Sequence, residues 1–281
     1  MSSSQDDFLQ REFPMSAADY EFLRTTANRE TGIELADSKR EMVYSRMVRR
    51  IRALRLSSFA AYCRFLEQNK ETELTHFINA ITTNLTSFFR EGHHFDALRN
   101  VIFPELVKKN AASRSVRLWS AGCSTGEEPY SLAITLAESG LFQGWDAKIL
   151  ATDIDSNVLA QASSGEYIRE RIQGLPVDIQ QRYFTRTDRL EVARVDPRVS
   201  AYISFRQLNL LNNWPVTGLF DVIFCRNVVI YFSKDTQRRL FDRFAQQMTP
   251  NGYLCIGHSE TLHGLSERFE SLGRTIYRKR M

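Results

Sequence analysis

The chain has 281 residues, of which 43% are hydrophobic and 25% charged, so it is long enough for one large globular domain and a smaller one. No segment approaches the roughly 18 apolar residues of a membrane span, and the amino terminus lacks the pattern of a signal peptide, so we expect a cytoplasmic protein. The four cysteines are widely spaced and the net charge is only +4, which indicates neither a disulfide framework nor a zinc site and does not require nucleic acid as a partner.

The amino-terminal part is predicted to be helical. We expect residues 1–14 to form a disordered tail and residues 15–87 to form a helical domain that begins at the N-cap Ser16. Its first helix is expected to end near Gly32, and its last helical pattern runs from Glu71 to Leu85. Its second helix, from about residue 37 to 54, has an apolar stripe on one side and basic residues on the other. Residues 38–55 carry seven positive charges and one negative charge, a net of +6. The basic side is therefore either a solvated helix face or a docking surface for an acidic partner.

The junction that follows, residues 84–91, has the sequence NLTSFFRE. It combines an amide, hydroxyls and a guanidinium with two adjacent aromatic rings, which is a mixture suited to the wall of a ligand cleft. A seam of packing between two domains would also use these residue types. Residues 95–109 then read as one helix with apolar residues on its inner side.

The segment Val116–Glu128, VRLWSAGCSTGEE, predicts a strand, a turn of small residues and the start of a helix. It contains neither the G-x-G-x-x-G fingerprint nor a Walker loop. Two glutamates at the helix start argue against a bound phosphate, because acidic side chains already occupy the positive end of the helix. A cationic ligand rich in hydroxyls, such as S-adenosylmethionine, fits better, although an ordinary tight connection remains the alternative.

The rest of the chain predicts alternating strands and helices. Short apolar strands end in polar residues at Asp153, Asn209 and Asn227, and the carboxyl ends of such strands are where an α/β sheet binds its ligand. Residues 184–205 read as a small antiparallel β insertion of three strands, at 184–187, 190–194 and 199–205. Residues 249–252 read as a turn before a strand at 253–257, and a final strand pair indicates a sheet with a reversed edge strand.

Taken together, these segments closely resemble the CheR family of chemotaxis receptor methyltransferases. The matching segments, in chain order, are TTNLTSFFRE (82–91), WSAGCSTGEEPYSLAI (119–134), ATDID (151–155), NLL (209–211), FDVIFCRNVVIYF (220–232) and GHSE (257–260).

The resemblance implies an α/β, Rossmann-like methyltransferase domain over residues 88–281 and an S-adenosylmethionine-dependent protein-glutamate O-methyltransferase, with S-adenosylhomocysteine as product. It implies that Arg90 and Tyr231 are catalytic. It further implies a basic helix that faces the acidic methylation helices of the receptors, through Arg46, Arg49, Arg50 and Arg52. The implied cofactor contacts are Asn84, Thr86, Arg90, Glu128, Asp153, Asn209, Leu210, Arg226 and Asn227.

Three further expectations complete the functional hypothesis. We expect no metal, because an ionised carboxylate needs neither a base nor a Lewis acid to attack a sulfonium methyl group. The rival hypotheses are a nucleic-acid base methyltransferase, disfavoured because Cys225-Arg226-Asn227-Val228 lacks a Pro-Pro-aromatic segment, and a non-catalytic adaptor, disfavoured by Arg90 and Tyr231. We also expect no dependence on a receptor-terminal pentapeptide tether, since the first two inserted strands are joined by a short connection without glycine.

Overall fold

The computed structural model describes residues 12–280, which fall into two compact units. The first unit runs up to Thr83 and includes Tyr231–Ser233, and the second comprises Asn84–Ile230 and the chain from Lys234 onward. Most of the expected disordered tail, residues 1–11, lies outside the described residues. None of the helices within residues 12–280 is long and apolar enough to cross a membrane.

The first unit is helical, as its sequence predicts. Ser16 caps the first helix as expected: its hydroxyl accepts the N–H of Asp19 at 3.1 Å, while the Asp19 carboxylate accepts the N–H of Ser16 at 2.9 Å. Gly32 ends this helix in the left-handed conformation, with φ of 73°. The helices are α1 (Ala17–Thr31), α2 (Arg40–Ala53, preceded by a 3-10 turn at Asp37–Lys39), α3 (Phe59–Gln68) and α4 (Lys70–Ile81).

The amphipathic character predicted for α2 is confirmed by burial. Val43, Met47 and Ile51 are buried, while the basic residues lie at exposed or half-buried positions. The helical pattern that the sequence extends to Leu85 ends at Ile81, because Thr82 adopts an extended conformation. The last carbonyls of α4 are instead satisfied from outside the helix, by a side chain of α2 described below.

The second unit is built on a seven-stranded sheet. Its central strand β1 is parallel to β2 on one side and to β7 on the other, so the winding reverses between β1 and β7. Strand β10 (Ile276–Lys279) runs antiparallel to both of its neighbours, β8 (Met248–Ile256) and the edge strand β9 (Phe269–Gly273), which confirms the predicted antiparallel edge of the sheet. In spatial order the strands are β6 (Ile203–Gln207), β2 (Asp146–Asp153), β1 (Ser115–Ala121), β7 (Phe220–Cys225), β8 (Met248–Ile256), β10 (Ile276–Lys279) and β9 (Phe269–Gly273).

Helices pack against this sheet, and the helices and the sheet share one apolar core. The predicted helix at 95–109 is present as α5 and α6 with a π-helical turn, Leu98–Ile102, between them. The core contains buried residues of these helices, of α7 and of the central strands, which explains why β7 is apolar along nearly its whole length. The helices are α5 (His93–Ala97), α6 (Phe103–Lys109), α7 (Glu127–Ser139), α8 (Ser156–Ser164), α9 (Val177–Tyr183), α10 (Pro197–Ser200) and α11 (Lys234–Gln246).

The small antiparallel sheet is present, but one of its three predicted strands is wrong. It consists of β3 (Glu166–Ile168), β5 (Val192–Val195) and β4 (Phe184–Arg186), with β5 in the middle. The third predicted strand, residues 199–205, is instead split: Pro197–Ser200 is helical, and residues 203–207 form β6, which pairs in parallel with β2. The periodic pattern identified a strand there but carried no information about its partner, because an edge strand of either sheet presents the same alternation.

A second difference concerns residues 249–252, predicted as a turn before a strand. These residues lie within β8, where Phe220 pairs with Met248 and Val222 pairs with Tyr253. The four intervening residues therefore bulge opposite Asp221, and Asn251 adopts a positive φ of 56°. The turn-forming residues thus specify a bulge inside one strand.

Candidate functional site

The turn after β1 has the geometry that its small residues predict. Gly122 and Gly126 have φ of +93° and +97°, which favours glycine. A Cβ on Gly122 would lie 2.3 Å from Cγ2 of Val228, so the turn passes directly against the segment that follows β7. The N–H groups of Gly122 and Cys123 both donate to the carbonyl of Thr152, at 2.8 and 2.9 Å. The carboxyl ends of β1, β2 and β7 are therefore held together around this turn.

Asp153, the predicted ribose acceptor, is the last residue of β2. Its carboxylate is buried and accepts the N–H of Ser124 at 2.8 Å and the N–H of Asp155 at 3.0 Å. Burial raises its pKa, although these backbone hydrogen bonds act in the opposite direction. Asn84 lies beside Asp153. Its side-chain amide donates to the Asp155 carboxylate at 2.8 Å, and its main-chain carbonyl accepts the hydroxyl of Ser124 at 3.1 Å.

Glu128 and Arg226 form the charged centre of the site. The Arg226 guanidinium is only 2% exposed and lies 3.3 Å from Oε2 of Glu128 and 3.5 Å from Oε2 of Glu91. The other oxygen of Glu128 accepts the hydroxyl of Ser120 at 2.7 Å. Burial raises the pKa of Glu128 and Arg226 partly offsets that effect, whereas for Glu91 the neighbouring Arg226 and His258 outweigh burial and lower the pKa. Two carboxylates thus flank one buried guanidinium, and the Arg90 guanidinium also opposes the effect of burial on the pKa of Glu128.

The segment that carries Arg90 is fixed by contacts from two sides. Arg226 donates to the carbonyl of Arg90 at 2.5 Å, and the N–H of Phe89 donates to the hydroxyl of Ser131 at 2.9 Å. Phe89 and Glu91 have positive φ, 51° and 57°, although neither is glycine, so the backbone is strained on both sides of Arg90. The half-buried Arg90 side chain donates to the carbonyl of Leu85 at 2.9 Å.

The structure places the remaining predicted cofactor contacts as follows. The segment after β6 runs beside Asp153, since the N–H of Leu208 donates to the Asp153 carbonyl at 2.9 Å. Asn209 is half-buried and accepts the N–H of Leu211 at 2.9 Å, and Leu210 is buried. Thr86 is half-buried. The carbonyl of Thr86 accepts Nη1 of Arg171 at 3.0 Å.

Tyr231 and Asn227 follow β7 in the sequence. Asn227 is half-buried and adopts a left-handed conformation with φ of 59°. Tyr231 ends a short 3-10 helix, Val229–Tyr231, and groups with the first unit. There its carbonyl accepts the N–H of Glu34 at 2.8 Å, and the next residue, Phe232, forms a bridge with Ile33.

The four arginines predicted to dock a receptor have different environments within the helical unit. Arg46 donates to the carbonyls of Ile81 and Thr82, at 2.9 and 2.6 Å, and so caps the carboxyl end of α4. Arg50 forms a two-point ion pair with the buried Glu73, and Arg52 pairs with Glu12 at the surface. Arg49 is exposed and makes no hydrogen bond or ion pair within the described residues. The sequence pattern gave these four residues one role, whereas their contacts differ.

A histidine and glutamate cluster lies next to this centre. Glu91, His93 and His94 each offer one possible metal-ligand atom, and these atoms lie within 4.8 Å of one another. The Arg226 guanidinium beside Glu91 would repel a divalent ion. Burial, with Arg226 nearby, lowers the pKa of His94 to about 3, so His94 is neutral at pH 7. The expectation that the chemistry uses no metal stays a prediction.

Several residues at this edge of the sheet make contacts that the sequence did not predict. Glu91 balances Arg226, Ser120 binds Glu128, and Ser124 links Asn84 to Asp153. Glu260, in the GHSE segment, accepts hydrogen bonds from the backbone that follows β7. The sequence could have indicated these residues only by their position, since each lies inside a segment that resembles the family.

Comparison with known proteins agrees with this geometry. Residues 84–278 match the family described as CheR methyltransferase, SAM binding domain, and residues 18–82 match CheR methyltransferase, all-alpha domain. The chain is similar to chemotaxis protein methyltransferase 2 of Pseudomonas aeruginosa, with 44% identity over 275 residues and 96% of each chain covered. It is also similar to the chemotaxis protein methyltransferase of Escherichia coli, with 47% identity over 254 residues, 88% of this chain and 85% of that relative. The chain therefore belongs to the CheR methyltransferase family, and it is an S-adenosylmethionine-dependent methyltransferase.

Proposed function

We propose that the protein transfers a methyl group from S-adenosylmethionine to glutamate side-chain carboxylates of chemotaxis receptors. The products are glutamyl methyl esters, which serve sensory adaptation, and S-adenosylhomocysteine. The observation that carries the proposal is the buried Arg226, which joins Glu128 to the backbone of Arg90 in a chain of this family. One residue thereby connects the proposed cofactor site to the proposed substrate-binding arginine.

The residues around the turn after β1 fit this cofactor. The carboxylates of Glu128 and Glu91 offer acceptors for a ligand with an ammonium and a sulfonium group, and Asp153 offers a buried acceptor for ribose hydroxyls. The cofactor supplies an electrophilic methyl group. The residues that would hold it are Asn84, Thr86, Arg90, Glu128, Asp153, Asn209, Leu210, Arg226 and Asn227.

The chain's contribution to the chemistry is positioning. A glutamate carboxylate has a reference pKa of about 4.3, so it is already ionised at pH 7 and needs no general base. Arg90 orients that carboxylate through its guanidinium, and Tyr231 fixes the line of approach by a hydrogen bond. Holding the two reacting groups in line can contribute about 7 kcal/mol or more. Arg90 and Tyr231 are therefore proposed as catalytic residues without a proton-transfer role.

A transfer assay separates this function from its rivals. Full-length protein and methyl-labelled cofactor are incubated with a cytoplasmic receptor fragment or with DNA, and Arg90→Ala serves as the matched control. We expect label on the receptor fragment and loss of most label with Arg90→Ala. Label on DNA would instead support a base methyltransferase, and cofactor binding without transfer to either would support an adaptor.

Receptor recognition is proposed to use the exposed basic side of α2. Arg49 is the leading residue, because its charge has no partner among the described residues, and the exposed Lys39, Arg52 and Arg55 add to the field. Charge reversal in Arg49→Glu should raise the receptor KM and weaken its salt dependence, while cofactor affinity stays unchanged. Arg64→Glu, at an exposed position of α3, is the matched control and should leave the KM within about twofold. Equal effects of the two variants would contradict docking through α2.

The small sheet gives a second, negative proposal about partners. The connection between β4 and β5 has no glycine, and the Thr187 hydroxyl closes it, since its one proton faces the carbonyls of Arg189 and Val192 at 3.0 and 3.1 Å. Glu166 of β3 also pairs with Arg189 and Arg194, which ties the hairpin to its neighbour. We infer that this hairpin does not bind a receptor-terminal pentapeptide as an added strand. We also infer that the enzyme works in the cytoplasm and contacts membranes only through its receptors. Calorimetry with such pentapeptides should show no binding tighter than about millimolar, whereas micromolar binding would overturn the inference.

A further inference from the structure

The GHSE segment, residues 257–260, follows β8 and has a contact pattern centred on one side chain. Glu260 is 6% exposed, and its carboxylate accepts hydrogen bonds from five main-chain N–H groups. The donors are Asn227 at 3.0 Å, Val228 at 2.9 Å, Val229 at 2.9 Å, Ile230 at 3.3 Å and Gly257 at 2.5 Å.

Four of these donors are consecutive residues of the segment that leaves β7. A buried N–H group without a partner costs free energy, and neighbouring strands do not pair with this segment. An ionised carboxylate forms stronger hydrogen bonds with N–H groups than a neutral acceptor does, and its two oxygens can serve several donors. Glu260 therefore supplies the acceptors for four consecutive N–H groups of residues 227–230, alongside the Gln237 side chain that donates to the Val229 carbonyl.

Gly257 allows the close approach that this arrangement needs. A Cβ at Gly257 would lie 2.5 Å from the Asn227 side-chain nitrogen and 2.8 Å from the Asn227 backbone nitrogen. The same Cβ would lie 2.9 Å from Oε2 of Glu260. Asn227 adopts φ of 59°, in the left-handed region that asparagine tolerates better than most non-glycine residues. The glycine and the glutamate of this segment thus act on the same residue.

We propose that Glu260 is a positioning residue for cofactor binding: it holds Asn227, at the end of β7, in the backbone conformation that meets the cofactor. The inference rests on the proposed role of Asn227 as a cofactor contact and adds the residue that sets its geometry. Glu260 does not itself touch the cofactor in this account. Its effect passes through the backbone of residues 227–230.

The same strand provides a matched control for a purely structural effect. Asp221 lies near the other end of β7, is 3% exposed, and accepts the N–H of Arg117 at 3.0 Å and the amide of Asn110 at 3.2 Å. Asp221 and Glu260 are both buried carboxylates that hold backbone, but only Glu260 acts at the carboxyl end of the strand. Asp221 also accepts the Thr249 hydroxyl at 3.3 Å and lies 3.7 Å from Nζ of Lys109, so neutralising it likewise weakens several buried contacts.

The test compares full-length Glu260→Gln and Asp221→Asn with the unchanged protein, using calorimetric titration with S-adenosylhomocysteine and urea unfolding. Glu260→Gln should weaken binding by about tenfold or more, since the glutamine nitrogen cannot accept two of the five bonds. Asp221→Asn should lower stability but change the Kd by less than about twofold. The double variant Glu260→Gln with Asn227→Ala should bind no more weakly than the worse single variant, because both changes remove one contact.

Two results would overturn the proposal: a folded Glu260→Gln protein with a Kd within about twofold of the unchanged protein, or an equal loss of binding in Asp221→Asn. If Glu260→Gln does not fold, Glu260→Asp is measured instead and judged by the same two criteria. The aspartate keeps the negative charge, but its side chain is shorter by one methylene group, so the carboxylate lies farther from the N–H groups. The binding measurement contains no receptor. A protein that binds S-adenosylhomocysteine but methylates no receptor would therefore refute the proposed function and leave this test intact.

Discussion

Arg50 should stabilise the helical unit, although its position on the basic helix suggests a docking role. Its guanidinium donates to both carboxylate oxygens of Glu73, at 2.8 and 2.5 Å, and the Tyr62 hydroxyl adds a third bond at 2.9 Å. Glu73 is 2% exposed and Arg50 is 23% exposed, so the pair is largely shielded from water. Arg50→Ala leaves a buried carboxylate with one phenol as its partner, and breaking such a pair costs about 3–5 kcal/mol. We expect the lower end of that range, because the Tyr62 hydroxyl still donates to the carboxylate in the variant.

The assay is urea unfolding followed by circular dichroism, with Arg49→Ala as the control on the same helix. Arg49→Ala should change the free energy of unfolding by less than about 0.5 kcal/mol. Adding Glu73→Gln to Arg50→Ala should restore part of the lost stability, because it removes the unpaired charge. A loss below about 1 kcal/mol in Arg50→Ala, or no recovery in the double variant, would refute the reasoning.

Three further outcomes are expected. Arg90→Ala should lower kcat by about a hundredfold or more with the free energy of unfolding unchanged, and near-normal turnover in a folded variant would exclude a catalytic role. Arg46→Met should destabilise the helical unit by about 1–3 kcal/mol, as measured by urea unfolding, because it removes charged hydrogen bonds to the end of α4; no change would show that water replaces them. Burial raises the pKa of Glu128 above its usual 4.5, so its contribution to stability is present below pH 4.5 and is lost as pH rises through the higher folded value. Acidification through that folded pKa should therefore weaken calorimetric binding of S-adenosylmethionine without unfolding through this group, and Glu128→Gln should remove this part of the pH dependence; an unaltered pH profile in the variant would contradict the assignment.

The sequence predicted best those features that depend on local chemistry. Ser16 as an N-cap, Gly32 as a helix end and the turn between Gly122 and Gly126 follow from hydrogen-bonding groups and backbone freedom within a few residues. The α/β sheet with a reversed strand near its edge also followed, because alternating strands and helices leave few topologies. These features supported the prediction of a site at the carboxyl ends of the strands.

What the sequence did not predict depends on partners far apart in the chain. The sequence predicts a strand at residues 199–205, but it does not identify the partner strand. Only the tertiary structure shows that residues 203–207 pair with β2 and not with the small sheet. The arginines of α2 look alike in sequence, yet Arg46 and Arg50 find partners 36 and 23 residues away. Glu260 likewise acts on a segment 30 to 33 residues before it. A charge pattern in the sequence predicts the sign of the charge on a surface, whereas the partner of each charged residue can be identified only from the folded structure.

The proposed function is tested most directly by the chemical nature of the product on a receptor fragment. The fragment is methylated with labelled cofactor, treated with mild alkali, and examined by mass spectrometry of its peptides. Because carboxyl esters hydrolyse in mild alkali and N-methyl groups do not, we predict release of the label as methanol and, before treatment, a methyl group on glutamate residues. Label that survives alkali, or a methyl group found on another residue type, would contradict the account.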